Sequence, residues 1–349
     1  MPRVTLKAIA ERLGYSKNTI SLALRNSPQI PEATRNKIKK LADEMGYQTN
    51  AVVSQLMAQL RSSQTPRFQA KLALINAHTD ANAFKTHPTI PNYVTGCEDR
   101  AKSRGYSFDH FWLHDPQLTP EGFIRVMKTR NIQGLVIVGL MSTNRLPEAL
   151  TKVWQEFPVA VTGVQTRQPT LSFCCVDHYD LARRAFHKAI DLGYDRPALI
   201  LDKVIDRLVE HRFSAGYLSG QQTLPADRRI PPFLEWESQK ENRDDFKTWF
   251  IKYKPDVVLI LYNSVIAWLE ELDLQIPEDV GVIQLEWRKD RPNIAGMDQH
   301  NTVTGEAVVD MVINQIHSNE RGIPQYPLST LIGSSWTDGQ SVRSKLTEV

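Results

Sequence analysis

The sequence predicts an α/β protein in which a small all-helical head precedes a body of two doubly wound lobes. Three observations carry this prediction. Two short amphipathic segments meet at Gly14, strands and helices alternate from Lys71 onward, and that alternation starts again at Asp177. Strands alternating with helices are typical of parallel sheets covered on both faces. With 349 residues, the chain is long enough for two or three domains.

The head begins with two short helices joined by a tight turn. Apolar residues recur at helical spacing over residues 5–13, and Gly14 is typical of a helix end. Ser16 can cap a second helix over residues 17–25. Two helices joined in this way form a helix-turn-helix. A third amphipathic helix over residues 32–45 completes a minimal core.

The second helix leaves a polar face exposed. Outward side chains near the start of such a helix reach base edges in the major groove of DNA. Residues 1–62 carry ten Lys or Arg and four Asp or Glu, a charge of +6, which leaves −3 for the rest of a chain with net charge +3. A basic head on an acidic body indicates that the head binds phosphate. The outward residues are Lys17, Asn18, Ser21, Leu22 and Arg25.

The body alternates strands and helices twice. In the first half, strands are expected at 72–75, 106–113, 134–138 and 158–162, with helices at 93–104, 120–130 and 145–156. In the second half, helices are expected at 179–192, 209–222, 244–252, 265–272 and 302–319. The matching strands are expected at 198–201, 233–235, 257–261 and 280–285, with a last one at 327–332.

Specific segments carry a resemblance to a known family. In the head they are Val4-Thr5-Leu6, Ile9-Ala10, Gly14, Ser16, Thr19-Ile20-Ser21, Thr34-Arg35, Gly46-Tyr47 and Asn50-Ala51. In the body they are Val176-Asp177-His178, Leu192-Gly193-Tyr194, the run from Arg212 to Gly216, Pro277 to Val280, and Gly305-Glu306-Ala307. The chain resembles the LacI/GalR family of bacterial repressors, whose body is of the periplasmic-binding-protein type.

The resemblance implies a sequence-specific DNA-binding transcription regulator whose partner is palindromic double-stranded operator DNA. A repressor is expected, and the sequence leaves an activator open. In the family, a hinge helix orders on the operator and a leucine wedges open a base step in the minor groove, and Leu56 occupies that position here. The implied DNA-binding residues are Thr5, Ser16, Lys17, Asn18, Thr19, Ser21, Leu22, Arg25, Tyr47, Asn50, Ala51 and Leu56.

The head departs from the family pattern at four positions. Leu22 stands where the family often carries a base-reading arginine, and Arg25 stands where asparagine is usual. Thr49 replaces the usual proline before the hinge, and Pro31 replaces a serine cap. These changes leave the docking mode intact and put the operator sequence in doubt.

The resemblance also implies a small-molecule effector, a carbohydrate or related metabolite, bound between the lobes. Arg212 matches the family's effector-contacting arginine, whose fork suits vicinal hydroxyls or a carboxylate. Glu286 replaces the usual aspartate beside the bulky Trp287, so the effector is expected to differ from the common pentoses and hexoses. The implied effector-binding residues are Arg212, Asn263, Glu286, Trp236, Asp177 and Gln299.

The expected domain limits follow from the same pattern. Residues 1–48 form the helix-turn-helix domain, 49–67 the hinge helix and linker, and 68–349 the effector-binding domain. Within that domain, the first lobe takes about 68–176 plus 303–333, and the second takes about 177–302. We expect a homodimer, because two heads are needed to read two half-sites.

Several classes of function find no support. No cofactor, metal or catalytic residue is expected, because the sequence has no Gly-rich phosphate loop, CxxC, HExxH or GxSxG motif. His110 and His114 lie on a predicted strand and the loop after it, not on one face of a helix. The odd count of three cysteines, and the lack of a signal stretch or membrane-spanning run, predict a cytoplasmic protein without a membrane partner.

Two other functions share a two-lobed body. A solute-binding protein would need a signal peptide and has no use for a helix-turn-helix. A sugar-acting enzyme with a DNA-binding head would need a catalytic constellation, and a turnover assay would discriminate it from a regulator.

Overall fold

The computed structural model describes residues 5–24, 27–47, 70–236 and 242–343. These ranges contain a three-helix head and a body built on two six-stranded sheets. The predicted fold class is therefore confirmed. The hinge and linker predicted over 49–67 lie outside the described residues, as do Arg25, Asn50, Ala51 and Leu56.

The head consists of α1 (Leu6–Leu13), α2 (Lys17–Leu24) and α3 (Glu32–Glu44). Helix α1 begins where the Thr5 hydroxyl accepts a hydrogen bond from the backbone N–H of Ala8, and it ends at Gly14. Gly14 has a φ of 72°, a left-handed conformation that favours glycine. The buried core shared by the three helices is Ile9, Ala10, Ile20, Ala23, Ile38 and Ala42.

The first lobe is a parallel sheet in the order β11-β5-β4-β3-β1-β2. Its strands are β1 (Ala70–Asn76), β2 (Tyr106–Trp112), β3 (Ile132–Val138), β4 (Val159–Thr162), β5 (Ser172–Val176) and β11 (Ser329–Ile332). Its helices are α4 (Ala83–Thr86), α5 (Ile90–Ser103), α6 (Pro120–Thr129), α7 (Thr151–Glu156) and α13 (Asn301–Ser318). Strands β3 and β4 are almost entirely buried, as expected for a parallel sheet covered on both faces.

The second lobe is a sheet in the order β12-β10-β9-β8-β6-β7, in which only β12 runs antiparallel to its neighbour. Its strands are β6 (Pro197–Asp202), β7 (Phe233–Trp236), β8 (Val257–Ile260), β9 (Gly281–Gln284), β10 (Gly296–Asp298) and β12 (Ser335–Thr337). Its helices are α8 (His178–Asp191), α9 (Lys203–Leu208), α10 (Arg212–Gln221), α11 (Arg243–Tyr253) and α12 (Ser264–Glu270). Strand β12, which follows residue 333, pairs with β10 at the edge of the second sheet. The domain limits given above stay a prediction.

The described chain passes between the two sheets three times. It crosses at Asp177 between β5 and α8, at Gln299 between β10 and α13, and at residues 333–334 between β11 and β12. The carboxyl ends of parallel strands are where open α/β sheets bind ligands. The cleft between the lobes is therefore the place to look for a small-molecule site.

Two helix predictions in the body were wrong in part. The helix expected over 145–156 begins with a 3-10 turn at Glu148 and becomes α7 at Thr151. The residue before a proline is disfavoured in a helix, and Pro147 follows Leu146. Instead, the backbone N–H of Leu146 donates to the carbonyl of Gln168 at 3.0 Å.

The helix expected over 209–222 is two helices, because α9 ends at Leu208 and α10 begins at Arg212. Glu210 and His211 both have a φ of 58°, which no α-helix contains. The buried Asp206 carboxylate holds this turn by hydrogen bonds to His211 Nδ1 and Ser214 Oγ, both at 2.8 Å. The break directs Glu210 toward the first lobe.

None of the helices in the described ranges is both long enough and apolar enough to cross a membrane. The three cysteines, Cys97, Cys174 and Cys175, are buried free thiols. Cys174 and Cys175 pack in different hydrophobic clusters on opposite faces of β5, as alternation along a strand requires.

Candidate functional site: a DNA-binding face and an inter-lobe cleft

The first candidate site is the solvent-facing side of α2. Ser16 Oγ accepts a hydrogen bond from the backbone N–H of Thr19 at 3.0 Å, so Ser16 caps the helix as predicted. The Ser16 and Thr19 hydroxyls are also hydrogen-bonded to each other at 2.8 Å. Lys17 and Asn18 are exposed, whereas Thr19, Ser21 and Leu22 are half-buried. The helix therefore offers a charged and an amide side chain at its start.

Two further head residues of the predicted DNA-binding set mark helix ends. Thr5 is exposed and its hydroxyl caps α1. Tyr47 packs against the head core, and its backbone N–H donates to the carbonyl of Ala42 at 2.9 Å. Arg35, which the sequence marks only through the family resemblance, is structural, because its Nη1 donates to the carbonyls of Ser27 and Ile30 at 3.1 and 2.9 Å.

The second candidate site is the cleft, where Glu286 lies at the centre of a buried polar cluster. Its Oε2 accepts hydrogen bonds from Thr89 Oγ1 at 3.1 Å and Arg288 Nη2 at 2.8 Å, and its Oε1 accepts one from Asn301 Nδ2 at 3.1 Å. Thr89 precedes α5 and Asn301 begins α13, both in the first lobe, whereas Glu286 and Arg288 follow β9 in the second. The carboxylate therefore joins the two lobes.

Some polar atoms of this region have no hydrogen-bond partner within the described residues. They include two acceptors, Gln284 Oε1 and Asn301 Oδ1, and two donors, Trp287 Nε1 and Arg288 Nε. Buried polar atoms are normally paired, so these unpaired atoms are available to water or to a ligand. Nearby, burial followed by the charges of His78 and Arg288 lowers the pKa of His87 to about 4.

A second part of the cleft contains a pocket around Arg212. The pocket has about 170 Å³ of empty space, part of it open to solvent. The Arg212 guanidinium lies 5.6 Å from the centre of the Phe173 ring, and its Nη1 is 3.9 Å from Cys175 Sγ. The pocket residues are Gly163, Val164, Gln165, Phe173, Cys175, His178, Val209, Glu210 and Arg212.

Glu210 joins the lobes at the edge of this pocket. Its carboxylate accepts hydrogen bonds from Arg167 Nε at 2.7 Å and Asn144 Nδ2 at 3.1 Å, and it also pairs with Arg167 Nη2. The bond from Arg167 holds the pKa of Glu210 below its ordinary value. Glu210, a residue of the second lobe, therefore stays charged and bonded to Arg167 and Asn144 of the first lobe.

The other predicted effector residues occupy different surroundings. Asn263 begins the turn into α12, and its Oδ1 accepts a hydrogen bond from Gln284 Nε2 at 3.2 Å. Trp236 is the last residue of β7, and it is paired with Asp202 of the neighbouring parallel strand β6. The Asp177 carboxylate caps α8 through the backbone N–H of Asp180 at 3.1 Å. Gln299 is buried, and its Nε2 donates to the carbonyl of Leu285 at 2.9 Å.

The structure therefore divides the predicted effector residues between two parts of the cleft. Arg212 lies in the pocket beside β5, whereas Glu286 belongs to the cluster that joins α5 and α13. Sequence reasoning did not identify Thr89, Arg288 and Asn301 around Glu286, or His178 beside Arg212. In the sequence, His178 is marked only by the segment Val176-Asp177-His178 that carries the family resemblance, and Asn301 only by its place just before a predicted helix. Among the described residues, no group of three or more His, Cys, Asp or Glu side chains could hold a metal ion.

Comparison with known proteins is consistent with this geometry. Residues 5–50 match the family model described as bacterial regulatory proteins, lacI family. The HTH-type transcriptional regulator GntR of Escherichia coli (strain K12) is 27% identical over 248 residues, which cover 67% of this chain and 72% of that protein. The resemblance to the LacI/GalR family is confirmed.

Two solved structures share the fold over almost the whole chain. The transcriptional regulator CelR in complex with cellobiose has a TM-score of 0.58 at 17% identity, covering 97% of this chain and 100% of that chain. The Lac repressor dimer bound to operator and the anti-inducer ONPF has a TM-score of 0.57 at 17% identity, covering 98% of this chain and 100% of that chain.

Proposed function

We propose that this chain, a member of the LacI family of bacterial regulatory proteins, is a DNA-binding transcription regulator whose operator affinity is controlled by a small molecule bound between the lobes. One observation carries the proposal: a helix-turn-helix with an exposed polar face on α2 shares a chain with a two-lobed body whose cleft contains polar groups. A DNA-reading face and a ligand cleft in one chain are the parts that ligand-controlled DNA binding requires.

On the DNA side, we propose that α2 lies in the major groove of a palindromic operator. Lys17, Asn18, Ser21 and Leu22 then face base edges, with Leu22 placed to contact a thymine methyl group. Two hinge segments, one from each subunit, would bring two Leu56 side chains together at the operator centre. There they would wedge open a base step and bend the DNA, and repression would follow from occupancy of the operator.

On the effector side, we propose that Arg212, Asn263, Glu286 and Trp236 contact a carbohydrate or related metabolite. The cellobiose complex of a protein with the same fold supports this class of ligand. The side chains of Asp177 and Gln299 already bond to the protein at the crossings. We therefore expect these two residues to position the lobes around the effector.

We further propose that the protein acts as a homodimer in the cytoplasm and catalyses no reaction. The similar Lac repressor was solved as a dimer on its operator, and a pair of heads is what a palindrome requires. GntR of Escherichia coli is named a transcriptional regulator and not an enzyme. A solute-binding protein or a sugar-acting enzyme would share the body, but neither accounts for the exposed face of α2.

Selection of binding sites from a pool of random double-stranded DNA tests this proposal. The full-length protein should enrich a near-palindromic sequence whose half-sites fall on the same face of the duplex, because a symmetric dimer reads both. Leu56→Ala should bind the same sequence with less bending. Recovery of unrelated sequences, bound no better than the starting pool, would exclude the regulator proposal.

A further inference from the structure

We propose that the pocket around Arg212 and His178 binds an anionic group of the effector, a carboxylate or a phosphate. The inference deepens the proposed function and rests on it, because it assigns a chemical class to one end of the ligand. Three features of the described residues support it: an arginine without an ion pair, a buried histidine with an unpartnered nitrogen, and nearby carboxylates that already accept hydrogen bonds from the protein.

Arg212 brings a positive charge that no carboxylate of the described residues neutralises through an ion pair. Its nearest contacts are the Phe173 ring at 5.6 Å and Cys175 Sγ at 3.9 Å. Neither group can accept a strong hydrogen bond from the guanidinium. A partly buried guanidinium with such neighbours is stabilised by an anion, and its planar fork matches the two oxygens of a carboxylate or phosphate.

His178 supplies a second group in the same pocket. Its side chain is buried, with 6% of the residue exposed, and its Nδ1 has no hydrogen-bond partner within the described residues. The ring stacks edge-on against Phe213 with 4.7 Å between centroids, which holds it in place. His178 lines the same pocket as Arg212, and a neutral imidazole has one N–H that can donate a hydrogen bond.

Both residues begin a helix. His178 is the first residue of α8, which has 14 residues, and Arg212 is the first residue of α10, which has 10. The N-terminal ends of helices carry partial positive charge and unpaired backbone N–H groups, which favour anions. Here carboxylates already cap both helices: Asp177 caps α8, and Asp206 accepts a hydrogen bond from the backbone N–H of Ser214 at 3.2 Å in α10. The positive charge of the pocket is therefore that of Arg212.

Three carboxylates near the pocket, Asp177, Asp206 and Glu210, already accept hydrogen bonds from the protein, although the charge of Arg212 also helps to lower the pKa of Glu210. Glu210 is paired with Arg167 and accepts a hydrogen bond from Asn144. Asp177 caps α8 through the backbone N–H of Asp180. A neutral sugar hydroxyl could accept one hydrogen bond from Arg212 but would leave its charge unpaired, whereas a carboxylate or phosphate would neutralise it.

A thermal-shift panel of matched neutral and anionic sugars tests the proposal on the full-length protein. Its members are D-glucose, D-gluconate and D-glucose 6-phosphate, and cellobiose with cellobionate. A compound that binds only the folded state raises the melting temperature, so we expect at least one acid or phosphate to raise it more than its neutral partner does. A larger increase with D-gluconate or cellobionate would identify the bound group as a carboxylate, and a larger increase with D-glucose 6-phosphate would identify it as a phosphate.

Variants then assign the effect to the pocket. Arg212→Gln and His178→Asn should each weaken binding of the stabilising anion by about tenfold or more in calorimetry, because a charge-assisted hydrogen bond is lost. Arg183→Gln, on the surface of α8 and paired with Asp180, and His187→Gln, further along α8, are the matched controls and should bind as the wild type does. Retained binding to the selected operator shows that each variant is folded.

Three results would overturn the anion site. The first is stabilisation by a neutral sugar with none by its acid or phosphate, and the second is no stabilisation by any acid or phosphate of the panel. The third is an anion whose affinity both pocket variants leave unchanged. In each case the protein can still select an operator, so failure of the anion site is distinguishable from failure of the proposed function.

Discussion

Two histidines in the cleft, the buried His178 and the half-buried His87, make the stability of the protein depend on pH. Burial, followed by the charge of Arg212, lowers the pKa of His178 from 6.5 to about 3, and burial lowers that of His87 to about 4. Below pH 6.5 the unfolded chain takes up protons that the folded chain does not, so stability falls as the pH falls toward these values. Each group contributes a slope of about 1.4 kcal/mol per pH unit.

His178→Phe should therefore reduce the slope of the free energy of unfolding against pH, between about pH 6 and pH 4, by the contribution of one proton. Urea unfolding at stepped pH measures the slope for the wild type and the variant. Two parallel curves would mean that His178 is protonated in the folded protein, contrary to its buried position.

Glu286 should behave as the centre of an inter-lobe cluster. Glu286→Gln leaves Arg288 without its carboxylate, and we expect it to lower the free energy of unfolding by about 1–3 kcal/mol. Thr89→Val removes a hydroxyl that donates to the same carboxylate. A double-mutant cycle in urea should show that the two effects are coupled, and simple additivity would indicate that Thr89 and Glu286 do not interact.

The sequence could predict part of this residue-scale picture. Arg212 could be singled out only through the family resemblance, whereas Asn263 and Glu286 also follow predicted strands, where such clefts form. Thr89 could not be singled out, because its contact with Glu286 joins residues 197 positions apart and depends on how the lobes close. Arg288 could not, because the sequence pattern does not show that its side chain turns back to the carboxylate two positions earlier. The sequence also could not show that Nδ1 of His178 has no partner among the described residues, since this depends on how the chain packs.

At the scale of elements, α8 and α10 are held close by a glycine. A Cβ built on Gly216 would lie 2.1 Å from the backbone oxygen of Tyr179, closer than any real contact. Gly216→Ala should push the helices apart and lower the stability of the body by about 1–3 kcal/mol in urea unfolding. Leu218→Ala, an exposed change on the same helix, should stay within about 0.5 kcal/mol. Equal effects of the two variants would contradict close packing at Gly216.

The start of α2 should determine operator sequence. Asn18→Ala should change the bases enriched by binding-site selection, because its exposed amide can read a base edge. Arg25→Ala, by contrast, should weaken binding to all sequences and lessen its salt dependence, as loss of a phosphate contact does. Lys40→Ala is the control, because it removes one positive charge from the exposed surface of α3 without changing the start of α2. The reverse pattern would mean that the recognition face is assigned wrongly.

Element limits were predictable where local chemistry determines them and not where tertiary contacts do. Gly14 ends α1 and Ser16 caps α2 as the sequence predicts, since both act on their own neighbours. The break between α9 and α10 was missed because it depends on Asp206, a buried carboxylate that binds His211 and Ser214. The apolar pattern through this region is compatible with one continuous helix.

At the scale of the whole molecule, polar groups close the cleft. Glu210 bonds to Arg167 and Asn144, and Glu286 bonds to Thr89 and Asn301, so both links join one lobe to the other. These hydrogen-bonding groups can exchange their protein partners for water or ligand. The lobes can therefore change their separation while the hydrophobic core of each lobe stays packed. A ligand that prefers one arrangement would shift the population toward it.

The central claim is that ligand in the cleft changes the affinity of the head for DNA. Its most direct test is to titrate the selected operator, by fluorescence anisotropy, with and without a saturating amount of the compound that stabilises the protein most. We expect the operator Kd to change by about 5- to 150-fold, the usual range of allosteric coupling. Arg212→Ala should bind the operator normally and lose that change. An operator Kd that the saturating compound leaves unaltered in the wild type would contradict the account.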